Sequence, residues 1–151
     1  MQLKSILTPE RTLHGASGSS KKRVLENIAN FIGEQAPSLD PGELFDNLIA
    51  REKLGSTGLG DGIAIPHCRL KNCPSVICSL VSLAEPTDFD AVDGLPVDLL
   101  FVLLVPEDAQ EEHLAVLAKL AELFQEPEFC QRLRAATNSA SLFQQAIKEM
   151  D

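Results

Sequence analysis

The segment from Arg51 to His67 carries the residues best suited to chemistry. Glycine, which lets a backbone approach a ligand closely and turn its N–H groups inward, occurs four times within eight residues of this segment. Pro66 restricts the backbone directly before His67, so we expect this histidine to be held in place. The alternatives are an ordinary glycine-rich loop or bulge and a structural histidine. Candidate donors to an anion such as phosphate are Ser56, Thr57, Gly58, Gly60 and Gly62.

Two further side chains could stabilise an anion near such a histidine. Arg51 lies three residues after Leu48 and continues the apolar stripe of a predicted helix, so we expect it to pair with an anion. The alternative is an arginine that extends to solvent from the last turn. His113 lies four residues before Leu117, near the start of another helix, where the helix dipole disfavours an imidazolium. We therefore expect a neutral ring that donates one N–H, with a purely structural histidine as the alternative.

Several common catalytic signatures are absent from the sequence. There is no G-x-x-x-x-G-K-[ST] loop, no G-x-S-x-G elbow and no H-E-x-x-H helix, so neither ATP nor a metal is predicted. The four cysteines form no C-x-x-C pair, and we interpret them as buried thiols: Cys68, Cys73, Cys78 and Cys130. A thiol nucleophile at Cys68 with His67 as its base is disfavoured, because adjacent side chains of an extended segment point to opposite faces.

The chain is acidic, with 13 Lys and Arg against 22 Asp and Glu among 151 residues. This charge disfavours non-specific binding of nucleic acid. No apolar run reaches the roughly 18 residues that span a membrane, and residues 1–15 lack a secretory signal, so we expect a cytoplasmic protein without membrane insertion. Between Glu85 and Glu128, twelve carboxylates accompany a single cation, Lys119. This acidic block either steers a cationic partner or aids solubility.

The apolar pattern predicts helices at both ends of the chain. The first runs from about Ser20 to Gly33, with Ser19 or Ser20 as its cap, and the second from an Asp40 cap to about Gly55. The stripe expected to face inward from the first helix is Val24, Leu25, Ile28, Ala29 and Ile32. A third begins at a capping box over residues 108–111, with Asp108 as the cap, and ends near Phe124. Short helices follow at Pro127–Arg134 and after a Ser139 cap. The residues expected to face inward from the third helix are Leu114, Leu117, Ala118 and Ala121.

Three strands are predicted between these helices, over residues 59–65, 76–84 and 97–105. The last is apolar without alternation, which is typical of a central strand covered on both faces. Helices before and after such a strand predict a layered α/β domain.

The stretch from Arg51 to His67 closely resembles the enzyme IIA proteins of the phosphoenolpyruvate-dependent phosphotransferase system, in their mannitol/fructose and nitrogen-regulatory branches. Residues 62–67, Gly-Ile-Ala-Ile-Pro-His, look like the phosphorylation-site motif of that family. Residues 96–101, with Val105-Pro106 and His113, look like its second block. The resemblance extends from about Ile6 to Ile147. It implies one α/β (α+β) domain over residues 1–151, with a mixed β-sheet flanked by helices on both faces.

The resemblance also implies a mechanism. His67 would accept a phosphoryl group on Nε2 from a phosphohistidine of a small histidine phosphocarrier protein, while a hydrogen bond holds its other ring nitrogen. Arg51 and His113 match family positions that line this site. The loop donors at positions 56–62 are expected to complete the phosphoryl-binding shell without a metal or other cofactor. One departure is Cys68, which stands where the family has a small residue such as Gly or Ala.

The leading hypothesis is a phosphotransferase component that regulates nitrogen- and potassium-related target proteins through its phosphorylation state. The standalone length and the string from Arg51 to Thr57 look most like the nitrogen-regulatory branch. One alternative is a sugar-specific component that passes its phosphoryl group to a fructose or mannitol transporter subunit. Another is a binding regulator whose site no longer turns over.

Overall fold

Helices precede and follow a central group of strands in the computed structural model, which describes residues 3–109 and 111–149. Within these ranges no helix is long and apolar enough to cross a membrane. Two short 3-10 helices, Leu3–Ser5 and Pro9–Arg11, open the chain. The five described α-helices are α1 Lys21–Gln35, α2 Pro41–Leu54, α3 Glu112–Phe124, α4 Pro127–Ala135 and α5 Ser139–Ile147. The six described strands are β1 Thr12–Ala16, β2 Gly58–Gly60, β3 Ile63–Ala64, β4 His67–Leu70, β5 Ile77–Thr87 and β6 Val97–Pro106.

The strands form one mixed sheet in the order β1-β5-β6-β3-β2, and β4 pairs with β6 next to β3. β5 and β6 are antiparallel, whereas β3 and β4 run parallel to β6. The β6 side chains from Leu99 to Val105 are all buried, which confirms the prediction of a central strand covered on both faces. The α/β fold with helices on both faces is likewise confirmed.

The alternation of side chains along β6 divides the core into two layers. Leu99, Phe101 and Leu103 pack in a layer with apolar side chains of α3, α4 and α5. Leu100 and Val102 pack in the other layer, with side chains of α1 and α2. At the edge of the sheet, β4 contributes Cys68 and Leu70 to the layer of α1 and α2.

Two helix predictions are confirmed in detail. The Ser20 side chain accepts a hydrogen bond from the Arg23 N–H at the start of α1, and the five α1 residues of the predicted stripe are buried. The Asp40 side chain accepts from the Glu43 N–H at the start of α2. Capping residues specify these ends locally, because each satisfies a backbone N–H that has no partner within its helix.

The single glycine-rich strand predicted over residues 59–65 is wrong. This segment is the hairpin β2–β3, which turns at Asp61 and Gly62 with φ angles of 57° and 82°. Positive φ at two successive residues is the requirement of a tight hairpin turn, and an Asp-Gly pair meets it. The sequence pattern does not predict β1 and β4, because neither has the alternation of a longer strand.

The predicted start of the third helix is also wrong, and its predicted inner face is right in part, since Leu117 is partly buried against the core. α3 begins at Glu112, and no side-chain cap is formed at its start, so Asp108 does not cap it; Gln110 of the predicted capping box lies outside the described residues. Leu114 is 55% exposed, whereas the core contains Val116, Leu120 and Phe124. α3 carries apolar side chains on most of its faces, so periodicity alone did not select the buried one. In α5 the cap is Asn138, one residue before the predicted Ser139.

Gly62→Ala is expected to destabilise the fold by about 1–3 kcal/mol through strain at a positive φ, with a further loss from a steric clash. A Cβ atom here would lie 2.6 Å from Arg134 Nη2 and 2.9 Å from Asp98 Oδ1. Gly94→Ala is a matched control, because Gly94 has φ of 75° and no neighbouring atom within 4 Å of its Cβ position. Urea unfolding should show a larger loss for Gly62→Ala; equal losses would contradict the role of the clash.

Candidate functional site

His67 is the first residue of β4, at the edge of the sheet. Cys68 and Leu70 point into the core layer of α1 and α2, so the alternation of an extended strand directs His67 and Arg69 to the opposite face. The Pro66 carbonyl accepts a hydrogen bond from the Leu103 N–H of β6, which connects the backbone before His67 to the central strand. The histidine is therefore held by the sheet and is not part of a free loop.

The hydrogen bonds of the His67 ring define its tautomer. Nδ1 lies 2.9 Å from the Ile65 carbonyl oxygen. Because a carbonyl oxygen only accepts, Nδ1 must carry the hydrogen, which leaves a lone pair on Nε2. The Arg51 Nε–H group donates to this Nε2 atom over 3.3 Å. Nε2 is therefore the nucleophilic atom of the ring.

Burial lowers the pKa of His67 below its ordinary value of 6.5. The hydrogen bond to Ile65 opposes this shift, and the positive charge of Arg51 adds to it. The net effect keeps the imidazole neutral near pH 7, the state in which it can attack an electrophile.

We expect nitrogen-15 NMR of the His67 ring to show the Nδ1–H tautomer at pH 7 and a protonation midpoint below 6.5. Since folding lowers this pKa, the unfolded chain takes up the proton first, so this group should reduce stability as the pH falls below the unfolded-state pKa. The Arg51→Ala variant should raise the midpoint, because it removes a nearby positive charge. An Nε2–H tautomer in the free protein would contradict the assignment of the nucleophilic atom.

A pocket of about 350 Å³ surrounds His67 and is lined by Arg51 and His113, together with neighbouring residues. Arg51 comes from the end of α2 on one face of the sheet, and His113 from the start of α3 on the other. The structure therefore brings together three predicted site residues that are 16 and 46 positions apart in the sequence. The other lining residues are Asn47, Ala50, Leu54, Cys68, Arg69 and Val105.

Arg51 connects the end of α2 with the histidine. Its Nη1 donates to the Gly55 carbonyl over 2.9 Å, while its Nε donates to His67. The guanidinium is thus held along the pocket wall by these two contacts and is partly buried. A planar group with several donors is suited to binding two oxygens of a phosphoryl group at once.

His113 is the second residue of α3, nearer the helix start than the sequence predicts. Its Nδ1 atom is buried and has no hydrogen-bond partner among the described residues. At this position the N-terminal end of the helix dipole contributes positive potential to the pocket, which favours a bound anion.

The predicted loop donors bind elsewhere in the structure. Ser56 Oγ donates to the Phe89 carbonyl over 2.6 Å and accepts from the Gly58 N–H. The Thr57 hydroxyl and N–H both donate to the Glu52 carboxylate. Gly60 is close to Asp93, and Gly62 is close to Arg134 and Asp98. The structure thus does not bring Ser56, Thr57, Gly58, Gly60 or Gly62 into the His67 pocket; they serve to shape the backbone between α2 and β3.

Glu52 is a residue next to the site that the sequence analysis missed. Its side chain is buried, forms an ion pair with Lys21 over 2.7 Å and accepts the two hydrogen bonds from Thr57. These contacts attach the last turn of α2, which carries Arg51, to α1 and to the loop. The spacing of Glu52 could have indicated its burial, because it lies four residues after the buried Leu48 on the inner stripe of α2.

The prediction of buried thiols is confirmed, because all four cysteines are buried and free. Burial raises the pKa of Cys68 to about 12, so its thiolate is scarcely populated at neutral pH. Cys68 is therefore unsuited to act as a nucleophile beside His67. Among the described residues, no group of three or more His, Cys, Asp or Glu side chains could hold a metal ion.

A neutral histidine at a sheet edge, with an arginine on its lone pair and a helix N-terminus nearby, is suited to bind and attack an anionic group. The chain belongs to the family described as phosphoenolpyruvate-dependent sugar phosphotransferase system, EIIA 2, which matches residues 5–150. Members of this family are phosphoryl carriers. The resemblance stated from the sequence motifs is thereby confirmed.

Within this family, the chain is similar to nitrogen regulatory proteins. It is 54% identical to that of Pseudomonas aeruginosa, over 95% of this chain and 94% of the relative. It is 43% identical to that of Escherichia coli K12, over 95% of this chain and 88% of the relative. The crystal structure of nitrogen regulatory protein IIA-Ntr from Neisseria meningitidis is 38% identical, with a TM-score of 0.87, and the match covers 95% of this chain and 98% of that one.

Proposed function

We propose that this protein is a phosphohistidine carrier in which His67 Nε2 accepts a phosphoryl group from the phosphohistidine of a small histidine phosphocarrier protein. The observation that carries the proposal is the fixed tautomer of His67. Its Nδ1–H group donates to the Ile65 carbonyl, so the lone pair of Nε2 is directed at the pocket and at Arg51.

The transfer balances without an added reactant. A new bond forms between Nε2 of His67 and the phosphorus, and the nitrogen–phosphorus bond of the donor breaks, its electron pair returning to the donor imidazole. The positive charge that develops on the His67 ring is stabilised by the Ile65 carbonyl, which accepts the Nδ1–H hydrogen bond. No proton has to leave Nδ1 during this transfer. Onward transfer from His67 to another acceptor likewise needs no proton movement at Nδ1.

Arg51 and His113 would stabilise the phosphoryl oxygens during the transfer. For attack, the Arg51 Nε–H group must leave the lone pair of Nε2, and the same guanidinium is then close enough to bind the incoming oxygens. His113, at the N-terminal end of α3, lies on the other side of the pocket. Phosphoryl transfer depends mainly on positioning and on stabilisation of charge on the oxygens, which these groups can supply.

The biological role that we propose is regulation of nitrogen- or potassium-related target proteins in the cytoplasm through the phosphorylation state of His67. The similarity along 95% of the chain to proteins named nitrogen regulatory protein supports this role over sugar transport.

The direct test is to incubate the full chain with a histidine phosphocarrier that has been phosphorylated from phosphoenolpyruvate. We expect an acid-labile, base-stable phosphate that mass spectrometry locates on His67. Absence of phosphate with an active donor would overturn the carrier function and favour a binding regulator. Addition of a fructose or mannitol transporter subunit with its sugar should leave the phosphate in place; rapid loss to sugar would support the sugar-specific alternative.

A further inference from the structure

A second and larger cavity lies away from His67, where β6 begins. This α4 groove has a volume of about 550 Å³ and apolar walls formed by Pro86, Leu95, Pro96, Phe124 and Pro127. None of its lining residues lines the His67 pocket. Asp98 of the groove and Leu103, which pairs with His67, are five residues apart on β6, or about 17 Å. The two cavities are therefore separate sites.

One exposed apolar side chain lines the α4 groove, and two others lie in the chain segments that lead into it. Leu95 lines the groove and is 50% exposed, while Val92 in the preceding turn is 86% exposed. Leu59 in β2 is 45% exposed, and the two segments are joined by a hydrogen bond of 2.8 Å from the Asp61 N–H to Asp93. Isolated apolar side chains are normal on a protein surface, whereas an exposed one that lines an apolar groove is typical of an interaction site.

Carboxylates dominate the charge around the groove. Asp61 and Asp98 line it. Three exposed glutamates adjoin two of its prolines in sequence: Glu85 precedes Pro86, and Glu126 and Glu128 flank Pro127. Arg134 is the cation among the described lining residues, and it is already paired, since it donates to the Asp98 carboxylate and to the Asp61 carbonyl. Because this ion pair also cancels the charge of Asp98, the negative potential of the groove comes from Asp61 and the three neighbouring glutamates, and these glutamates belong to the acidic block.

We propose that the α4 groove is a docking site for a target protein that inserts an apolar side chain beside Leu95 and places lysine or arginine over the surrounding carboxylates. Charge complementarity favours this occupant over a second copy of the chain, whose own net charge of −9 opposes self-association. Because the groove and the His67 pocket share no residue, such a target can remain bound while His67 exchanges a phosphoryl group. The inference goes beyond the proposed function, and the docking itself needs only the unphosphorylated surface.

The test uses the full nitrogen-15-labelled chain and a synthetic peptide in which one leucine is flanked by two lysines on each side, within a glycine–serine background. We expect the peptide to shift the amide signals of Asp61, Leu95 and Gln131, and to leave that of His67 unchanged. A peptide with serine in place of leucine should bind at least about tenfold more weakly, because the apolar insertion is lost. Equal binding of both peptides, or shifts centred on the His67 pocket, would overturn the proposal.

Matched variants separate the apolar and the charged contributions. Leu95→Ser should weaken peptide binding about tenfold, while Leu114→Ser, an equally exposed leucine on α3, should not. Glu126→Gln with Glu128→Gln should reduce the affinity and its salt dependence, while Glu34→Gln with Glu43→Gln on the α1–α2 side should change neither.

Leu95→Ser should still accept a phosphoryl group at the wild-type rate. A dimer that Leu95→Ser dissociates would overturn the proposal in favour of a second copy as the occupant.

Discussion

His67→Gln is expected to accept no phosphoryl group from a phosphorylated histidine carrier, although it folds as the wild type does. Glutamine can keep polar contacts at the start of β4, but its amide nitrogen has no lone pair available for attack. The neighbouring Cys68 cannot replace the histidine, because its pKa of about 12 keeps the thiol protonated. Mass spectrometry of the intact variant after incubation with the donor measures the loss.

His14→Gln provides the matched control for this substitution. His14 is exposed on β1, and its backbone N–H, which the substitution retains, donates to Ser139 Oγ. This variant should be phosphorylated as fully as the wild type. Circular dichroism and urea unfolding should show that both variants are folded. Phosphate on His67→Gln would contradict the assignment of the acceptor, and loss of phosphate from His14→Gln would contradict the location of the site.

Arg51→Ala is expected to slow phosphoryl transfer by about a hundredfold, because removal of one preorganised donor to a developing anion typically has an effect of this size. Arg51→Lys should recover part of the rate, since a point charge retains the attraction but cannot bind two oxygens in a fixed geometry. Rapid-quench measurement of exchange with the phosphocarrier, under single-turnover conditions, gives these rates.

Lys53→Ala tests whether the effect depends on geometry or on charge alone. Lys53 lies in the same last turn of α2, is exposed, and does not line the His67 pocket. Its removal should change the rate less than about threefold, because exposed charges outside the site are screened. If Arg51→Ala transferred at the wild-type rate, the guanidinium would have only a structural role at the end of α2.

The last turn of α2 is supported by the buried contacts of Glu52. The ion pair with Lys21 and the hydrogen bonds from Thr57 hold this turn against α1 and the loop. Arg51 is the adjacent residue, so the same contacts place its guanidinium against Nε2 of His67. Of the loop residues that the sequence indicated as phosphoryl donors, Thr57 thus contributes indirectly, because it holds the turn that carries the arginine.

Local sequence patterns were sufficient to predict those elements of the fold that depend on residues close together in the sequence. The caps at Ser20 and Asp40, the inner stripe of α1 and the buried strand β6 were all predictable, because capping and periodicity act over a few residues. The motif around His67 identified the family for a related reason: a glycine-rich turn followed by Pro66 imposes a particular backbone wherever it occurs.

Contacts between distant segments had to come from the folded structure. No local pattern indicates that β3 pairs with β6, and α3 buried Val116 and not Leu114 because of how it packs on the sheet. The same packing brought His113 from one face, and Arg51 from the other, to the ring of His67. Periodicity describes one element at a time, whereas the direction of a side chain toward another element depends on the register and packing of both.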